Sequence, residues 1–365
     1  MSKQHKFFVL ISLVLVFALL FSACGPEPAP PEPEEPAVEE AEPVEEPAEP
    51  EPTEPPPPTD TPEPTPTPEP PTETPLPTET PTPEIQYSDL PADPQRVEFQ
   101  AEDGKNLVGY YYASKYADAP VIVLMHWAGG DQRDWCRIAP WLQNRLDENP
   151  AEMTGCPVPP GSEPFWDPTW FPPMDEAASY AVFTFDFRDF GESQAGLGSP
   201  RNWGLDGVAA LKTAAELTPV TAFQCTGKVA KNVQVVGGLP WMLTIGSSIG
   251  ADVASWACYQ FNELGNRSCV GAISLSPGSY IDNNYTTDAQ NNKEADPSVP
   301  VTCMSGDGDY SAGTCRNAEE FLHDMIIYTG TSAHGTLMID PDPLYNPNIL
   351  DYILDFAEMV FAPSQ

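Results

Sequence analysis

Ser248 stands in Gly246-Ser247-Ser248-Ile249-Gly250, with a glycine two positions to either side. An apolar run, Trp241-Met242-Leu243-Thr244-Ile245, precedes it, and an alanine-rich stretch from Ala251 to Tyr259 follows. The order of strand, tight turn and helix lifts a serine hydroxyl clear of a sheet, because the turn leaves no room for side chains beside it. A serine so placed can attack a carbonyl carbon if a base takes its proton and a carboxylate orients that base. The N–H of Ile249, at a helix N-terminus, is then suited to stabilise the oxyanion that forms. Taken alone the motif also describes an ordinary Gly/Ser loop, so the reading depends on what the rest of the chain offers.

The elements around this turn alternate. Val97–Ala101 and Leu107–Ala113 read as a hairpin joined by Glu102-Asp103-Gly104-Lys105. Val121–Met125 is an apolar run suited to a strand buried on both faces, as is Tyr180–Phe185. Helices are predicted over Asp134–Leu146, Gly204–Leu217, Ala318–Met325 and Ile349–Phe361, and further strands over Ala272–Leu275, Val299–Met304 and Ile326–Thr329. Strand and helix in alternation imply an α/β fold, a mostly parallel sheet with helices on both faces. No G-x-G-x-x-G follows the first buried strand, which argues against a dinucleotide-binding fold.

The strand, G-x-S-x-G and helix around Ser248 resemble the nucleophile elbow of the α/β-hydrolases. Three further stretches carry the same resemblance in the same order. Asp186-Phe187-Arg188-Asp189-Phe190-Gly191-Glu192-Ser193 is similar to that family's D-x-R-G-x-G-x-S turn, with Asp189 in place of the first glycine. His126-Trp127-Ala128-Gly129-Gly130 sits where relatives have His-Gly-x; by position Ala128 would give the second oxyanion amide beside Ile249, and Trp127 replaces a glycine. Trp127 then either walls the acyl pocket or packs on the sheet edge. Ala333-His334-Gly335-Thr336 resembles the dienelactone-hydrolase and small-esterase branch.

The resemblance implies the chain order serine, acid, histidine. Of the histidines after the leader, His126 lies upstream of Ser248 and His323 falls within a predicted helix, which leaves His334, after the last strand, as the base. The acid is expected after strand Val299–Met304, in Ser305-Gly306-Asp307-Gly308-Asp309-Tyr310. The family's G-x-x-D spacing favours Asp309, with Asp307 as the alternative; an Asp/Gly turn or a calcium loop is the competing account of this stretch. The expected activity is hydrolysis of a small-molecule or polymer ester without a cofactor. A serine peptidase or amidase is an alternative, and so is a non-catalytic binding module on the same scaffold. A haloalkane or epoxide hydrolase would need aspartate where Ser248 stands, and the histidines show no metal-ligand spacing.

Ahead of the folded part come two segments of different composition. Residues 1–24 carry Lys3 and Lys6, an uncharged run from Phe7 to Phe21, and Ser22-Ala23-Cys24. They resemble a bacterial lipoprotein signal peptide, which implies a lipidated Cys24 and an exported chain held at the extracytoplasmic face of a membrane; Phe21 stands where that family has leucine. An ordinary secretory signal and an uncleaved anchor are the alternatives. Residues 25–84 hold 24 of the 46 prolines, 18 acidic residues and no Lys or Arg, a composition expected to form a disordered, extended spacer.

Residues 85–365 are expected to form one α/β-hydrolase domain, a monomer. Of the formal net charge of −38, the spacer holds −18 and the leader +2, so about −22 falls on this domain, which argues against nucleic acid and anionic lipid as partners and leaves the lipid anchor as the contact with a membrane. The cysteines, read for an oxidising compartment, suggest Cys136–Cys156, Cys258–Cys269 and Cys303–Cys315 with Cys225 free. The segment 147–176, with Phe165, Trp166, Trp170 and Phe171, reads as an insertion, either a lid over an aromatic pocket or a stapled surface loop. Pro277–Asp296 reads as a second rim.

Overall fold

The computed structural model describes residues 88–145, 148, 167–195, 201–218 and 238–362, all within one compact unit, Leu76–Gln365. Cys24, the spacer, Cys156, Phe165, Trp166 and Cys225 lie outside the described residues.

Eight strands form one sheet in the order β1-β2-β4-β3-β5-β6-β7-β8. β1 (Gln95–Gln100) and β2 (Asn106–Tyr112) are an antiparallel hairpin whose turn places Gly104 at φ +81°, where a side chain would be strained. β2 also runs antiparallel to β4 (Ala181–Asp186). From there β4, β3 (Val121–Met125), β5 (Met242–Ser247), β6 (Cys269–Leu275), β7 (Val301–Gly306) and β8 (Asp324–Tyr328) are parallel. β1 alternates half-buried and exposed residues, whereas β3, β4, β5 and β7 are buried throughout, as strands covered on both faces must be. Helices α1 (Ile138–Gln143), α2 (Arg201–Leu217), α3 (Ile249–Glu263), α4 (Tyr285–Glu294), α5 (Ser311–Ala318) and α6 (Ile349–Phe361) supply that cover. One apolar layer joins Ile138 and Trp141 of α1 to Ile349, Ile353 and Phe356 of α6. The opposite layer joins Leu211 and Ala214 of α2 to Val253, Ala257 and Phe261 of α3. Strand order and direction are those of the α/β-hydrolase fold.

The chain departs from the sequence reading in several elements. The helix expected over Asp134–Leu146 is a 3-10 turn, Gln132–Trp135, followed by the short α1. Pro140 tolerates the first turn of a helix, but in a longer one its ring would meet the carbonyl four residues back. Ala318–Met325 is not a helix: α5 ends at Ala318, a 3-10 turn covers Glu319–Phe321, and β8 already begins at Asp324. His323 therefore precedes a strand, partly exposed and 3.8 Å from Asp324. Part of Pro277–Asp296 is the helix α4, capped by Asn284, whose Oδ1 accepts the Thr286 N–H at 2.9 Å. Trp170 and Phe171 pack against the core, Phe171 stacking on Trp141 with centroids 5.4 Å apart, so the described end of the insertion is no lid.

Candidate active site

β3 lies between β4 and β5, so the chain leaves its carboxyl end toward one side of the sheet and returns on the other. In an open α/β sheet such a reversal opens a crevice at the carboxyl ends of the strands. The loop after β3 and the turn after β5 both face it.

Ser248 sits in that second turn at φ 55°, ψ −115°, a conformation uncommon outside glycine. The flanking glycines make it possible. A Cβ on Gly246 would lie 1.9 Å from the Gly250 carbonyl oxygen, and one on Gly250 would lie 2.4 Å from that of Met125. The Ser248 N–H donates to Leu275 O at 2.8 Å, fixing the turn to β6, and α3 starts at Ile249.

His334 follows β8 on a loop pinned to the same turn. The Thr336 N–H donates to Ser247 Oγ at 3.0 Å and the Gly335 N–H to Ser276 Oγ at 2.8 Å. Gly335, at φ +59°, comes so close that an added Cβ would be 2.0 Å from Ser247 Oγ and 3.7 Å from Ser248 N. His334 Nδ1 lies 2.8 Å from Asp309 Oδ2. Asp309 is 7% exposed and also accepts the Ser311 hydroxyl at 2.6 Å. Burial disfavours its charge, but the Ser311, Ser276 and His334 hydrogen bonds outweigh that and hold its carboxyl below the usual range. A carboxylate only accepts, so Nδ1 carries the proton and the lone pair sits on Nε2.

Asp307 occupies a different place. Its Oδ1 accepts the N–H groups of Gly330 and Thr331, at 2.9 and 3.3 Å, and so ties down the start of the His334 loop. Asp309, not Asp307, is the carboxylate that meets His334.

His126 is fully buried. Its Nε2 accepts the Phe187 N–H at 3.0 Å and its Nδ1 donates to Trp127 O at 2.7 Å, the tautomer those partners require. Burial pushes its pKa down to about 4 despite the bond to Trp127, so it is a neutral strut. Holding the Trp127 carbonyl also aims the Ala128 N–H, on the opposite side of that trans peptide. Ala128 is exposed, and within the described residues neither its N–H nor that of Ile249 has a protein acceptor. Trp127 folds back over Gly129, whose added Cβ would be 2.9 Å from Trp127 Cζ2, and its ring centroid lies 6.5 Å from that of His334. It stands at the wall of the site.

The Asp186–Ser193 turn braces this arrangement. The Asp186 carboxylate accepts the N–H groups of Gln132 and Glu192 at 2.8 and 2.7 Å, joining the loop after β3 to the loop after β4. Arg188, fully buried, pairs with Asp103 and Asp206. Asp189 adopts φ 71° where the related motif has glycine, a conformation aspartate tolerates.

Sequence reasoning missed three supports. Ser276 bonds to both the His334 loop and Asp309, and Ser311 orients Asp309. Asp252, on α3 and fully buried, accepts the Gly278 N–H at 3.0 Å and also that of Tyr280, anchoring the loop after β6. Only Asp252 left a trace in the sequence, as a charge among alanines in the run after Ser248. Among the described residues no three His, Cys, Asp or Glu side chains gather to hold a metal ion, and no helix is long and apolar enough to cross a membrane.

No protein-family model matches the chain, and no curated protein matches it. Solved structures that resemble it include an esterase of Pyrococcus furiosus, at 12% identity and a TM-score of 0.48, covering 76% of this chain and 98% of that one. An α/β-hydrolase of a Penicillium species has 12% identity and a TM-score of 0.49, covering 74% of this chain and 99% of that one. An esterase of Pyrobaculum calidifontis has 11% identity and a TM-score of 0.46, covering 75% and 85%. Likenesses this distant say nothing of what the chain binds or transforms.

Proposed function

We propose that the chain is a serine hydrolase acting on carboxylic esters, with Ser248 as nucleophile, His334 as base and Asp309 as the acid that orients it. The observation that carries this reading is the 2.8 Å contact of His334 Nδ1 with Asp309, on a loop whose next residue abuts the Ser248 backbone. His334 Nε2 takes the proton of Ser248 as Oγ attacks the ester carbonyl. The N–H groups of Ala128 and Ile249 stabilise the oxyanion. The tetrahedral adduct collapses, His334 gives its proton to the departing alkoxide, and an acyl-serine remains. Water, deprotonated by His334, then attacks that ester and releases the acid and free Ser248.

Ser248→Ala is expected to abolish hydrolysis of p-nitrophenyl esters while leaving the circular dichroism spectrum unchanged. A fluorophosphonate probe that labelled the Ser248→Ala variant as strongly as the parent would overturn the assignment. Running a peptide panel beside the esters separates an esterase from a peptidase.

We also propose that the domain is exported and held at the extracytoplasmic face of a membrane through a lipid on Cys24. The leader composition supports this, as do the disulfides Cys258–Cys269 and Cys303–Cys315, which suit an oxidising compartment. Cys24→Ala is expected to release the chain into the soluble fraction; parent protein found wholly soluble after export would refute the anchor.

A further inference from the structure

The mouth of the site carries an aromatic surface that the acyl-transfer steps do not use. Tyr310, next to Asp309, is 65% exposed. Its ring lies within 20° of parallel to the His334 ring, with centroids 5.5 Å apart. That separation makes an offset stack, so the imidazole covers only part of the tyrosine. Tyr280 meets Tyr310 at 86° and 6.0 Å. Trp127 stands by the same imidazole at 6.5 Å. Trp127, after β3, and Tyr310, after β7, thus both lie beside the base, and Tyr280, after β6, meets Tyr310.

Hydrogen bonds fix the backbone that carries Tyr280 and flank that of Tyr310. Asp252 accepts the N–H of Tyr280 and of Gly278. Tyr310 lies between Asp309 and Ser311, which are hydrogen-bonded to each other. Tyr310 adds little to the core, and its place beside His334 leaves a ring face within reach of a bound substrate.

Resting on the ester-hydrolase reading, we propose that Tyr310 is a specificity-determining residue that stacks a flat ring on the alcohol half of the substrate, so that esters of arylmethyl-type alcohols are the favoured class. The alcohol half is singled out by the proton transfer. The departing oxygen must come within hydrogen-bond reach of His334 Nε2. A ring one carbon beyond that oxygen then lies a few ångströms from the imidazole, a distance comparable to the 5.5 Å that separates the Tyr310 and His334 rings. A flat ring gains a stacking interaction beyond the area it buries, which a saturated ring of equal size does not.

The test compares benzyl acetate with cyclohexylmethyl acetate on the full chain. Both release primary alcohols of similar size; benzyl alcohol is the slightly better leaving group, a difference that the Tyr310 variants share with the parent, and the rings differ in flatness. The parent is expected to favour the benzyl ester by about three- to tenfold in kcat/KM, mainly through KM. Tyr310→Ala is expected to bring the ratio close to one, and Tyr310→Phe to keep it. A parent ratio near one, or a preference that survives Tyr310→Ala, overturns the stacking role and leaves the hydrolase reading intact. Failure to hydrolyse either of these esters or p-nitrophenyl acetate overturns the hydrolase reading and this one with it.

Discussion

At the scale of single residues, the two aspartates after β7 divide the work, and substitution separates them. Asp309→Asn keeps the shape but presents an amide to His334 Nδ1, which favours the wrong tautomer and cannot stabilise an imidazolium. A loss of roughly a thousandfold or more in kcat is expected, with little change in melting temperature. Asp307→Asn retains an oxygen for the Gly330 and Thr331 amides and is expected to cost less than about tenfold. Equal losses in the two variants, measured by steady-state kinetics on one ester, would contradict the division. Ser276→Ala belongs between them. It removes the acceptor of the Gly335 N–H and one donor to Asp309, so it loosens the histidine and the acid together. His334 and the pair Asp307/Asp309 were legible through the resemblance, whose chain order and G-x-x-D spacing favoured Asp309, and the contact with His334 separates the two aspartates. The serines that orient Asp309 and His334 were not legible, since a serine beside a strand end looks the same whether its hydroxyl meets water or a catalytic carboxylate.

At the scale of elements, what could be read followed the strength of the pattern. β3 is an unbroken apolar run, and β4 and β5 are apolar apart from a buried threonine in each and a polar residue at the end, which is the pattern of strands covered on both faces. α4 escaped because its buried positions, Tyr285, Asp288, Ala289 and Asn292, have helical spacing but half of them are polar. β8 was read as beginning too late because Leu322-His323-Asp324-Met325 continues the helical rhythm of α5, while pairing with β7 takes Asp324 into the sheet. The disulfide Cys303–Cys315 links β7 to α5 and encloses the turn that carries Asp309. Closing a loop of this size stabilises a fold by up to about 3 kcal/mol, chiefly by restricting the unfolded chain. Replacing both cysteines by alanine is therefore expected to lower the melting temperature. Because the closed loop also sets the acid, esterase activity should fall at temperatures where far-UV circular dichroism still reports a folded domain. Coincident loss of activity and structure on heating would show that the disulfide only stabilises.

At the scale of the molecule, several buried acid side chains shape the response to pH. Burial, reinforced by neighbouring carboxylates at three of the four sites, pushes Asp134 up to about 7, Asp186 to about 6, Asp252 to about 7 and Asp288 to about 8. In the unfolded chain these groups release their protons near pH ~4. Between that value and about pH 8 the folded domain therefore binds more protons than the unfolded one, so stability falls as pH rises. Asp309 and Asp131, together with the more exposed Asp103, Glu148, Asp167 and Glu192, are held low in the fold and act in the opposite sense, and their contribution is lost only as pH drops below the usual carboxylate range. Maximum stability is expected near pH ~4 to 5 on this balance, well below neutrality. One pKa unit corresponds to about 1.4 kcal/mol, so a fraction of these shifts moves the melting temperature by several degrees across the window. Asp288 isolates the effect: its Oδ2 is buried without a hydrogen-bond partner, and it takes part in none of the hydrogen bonds that hold Ser248, His334 and Asp309. Asp288→Asn supplies the uncharged form at every pH. Calorimetric melting from pH ~4.5 to ~8.5 is expected to show a steady decline in the parent and a shallower one in the variant, the two converging at the acid end. Parallel curves for the two proteins would mean that Asp288 ionises as freely in the folded domain as in the unfolded chain, and a melting temperature that rises with pH in the parent would mean that the lowered carboxyls outweigh the raised ones.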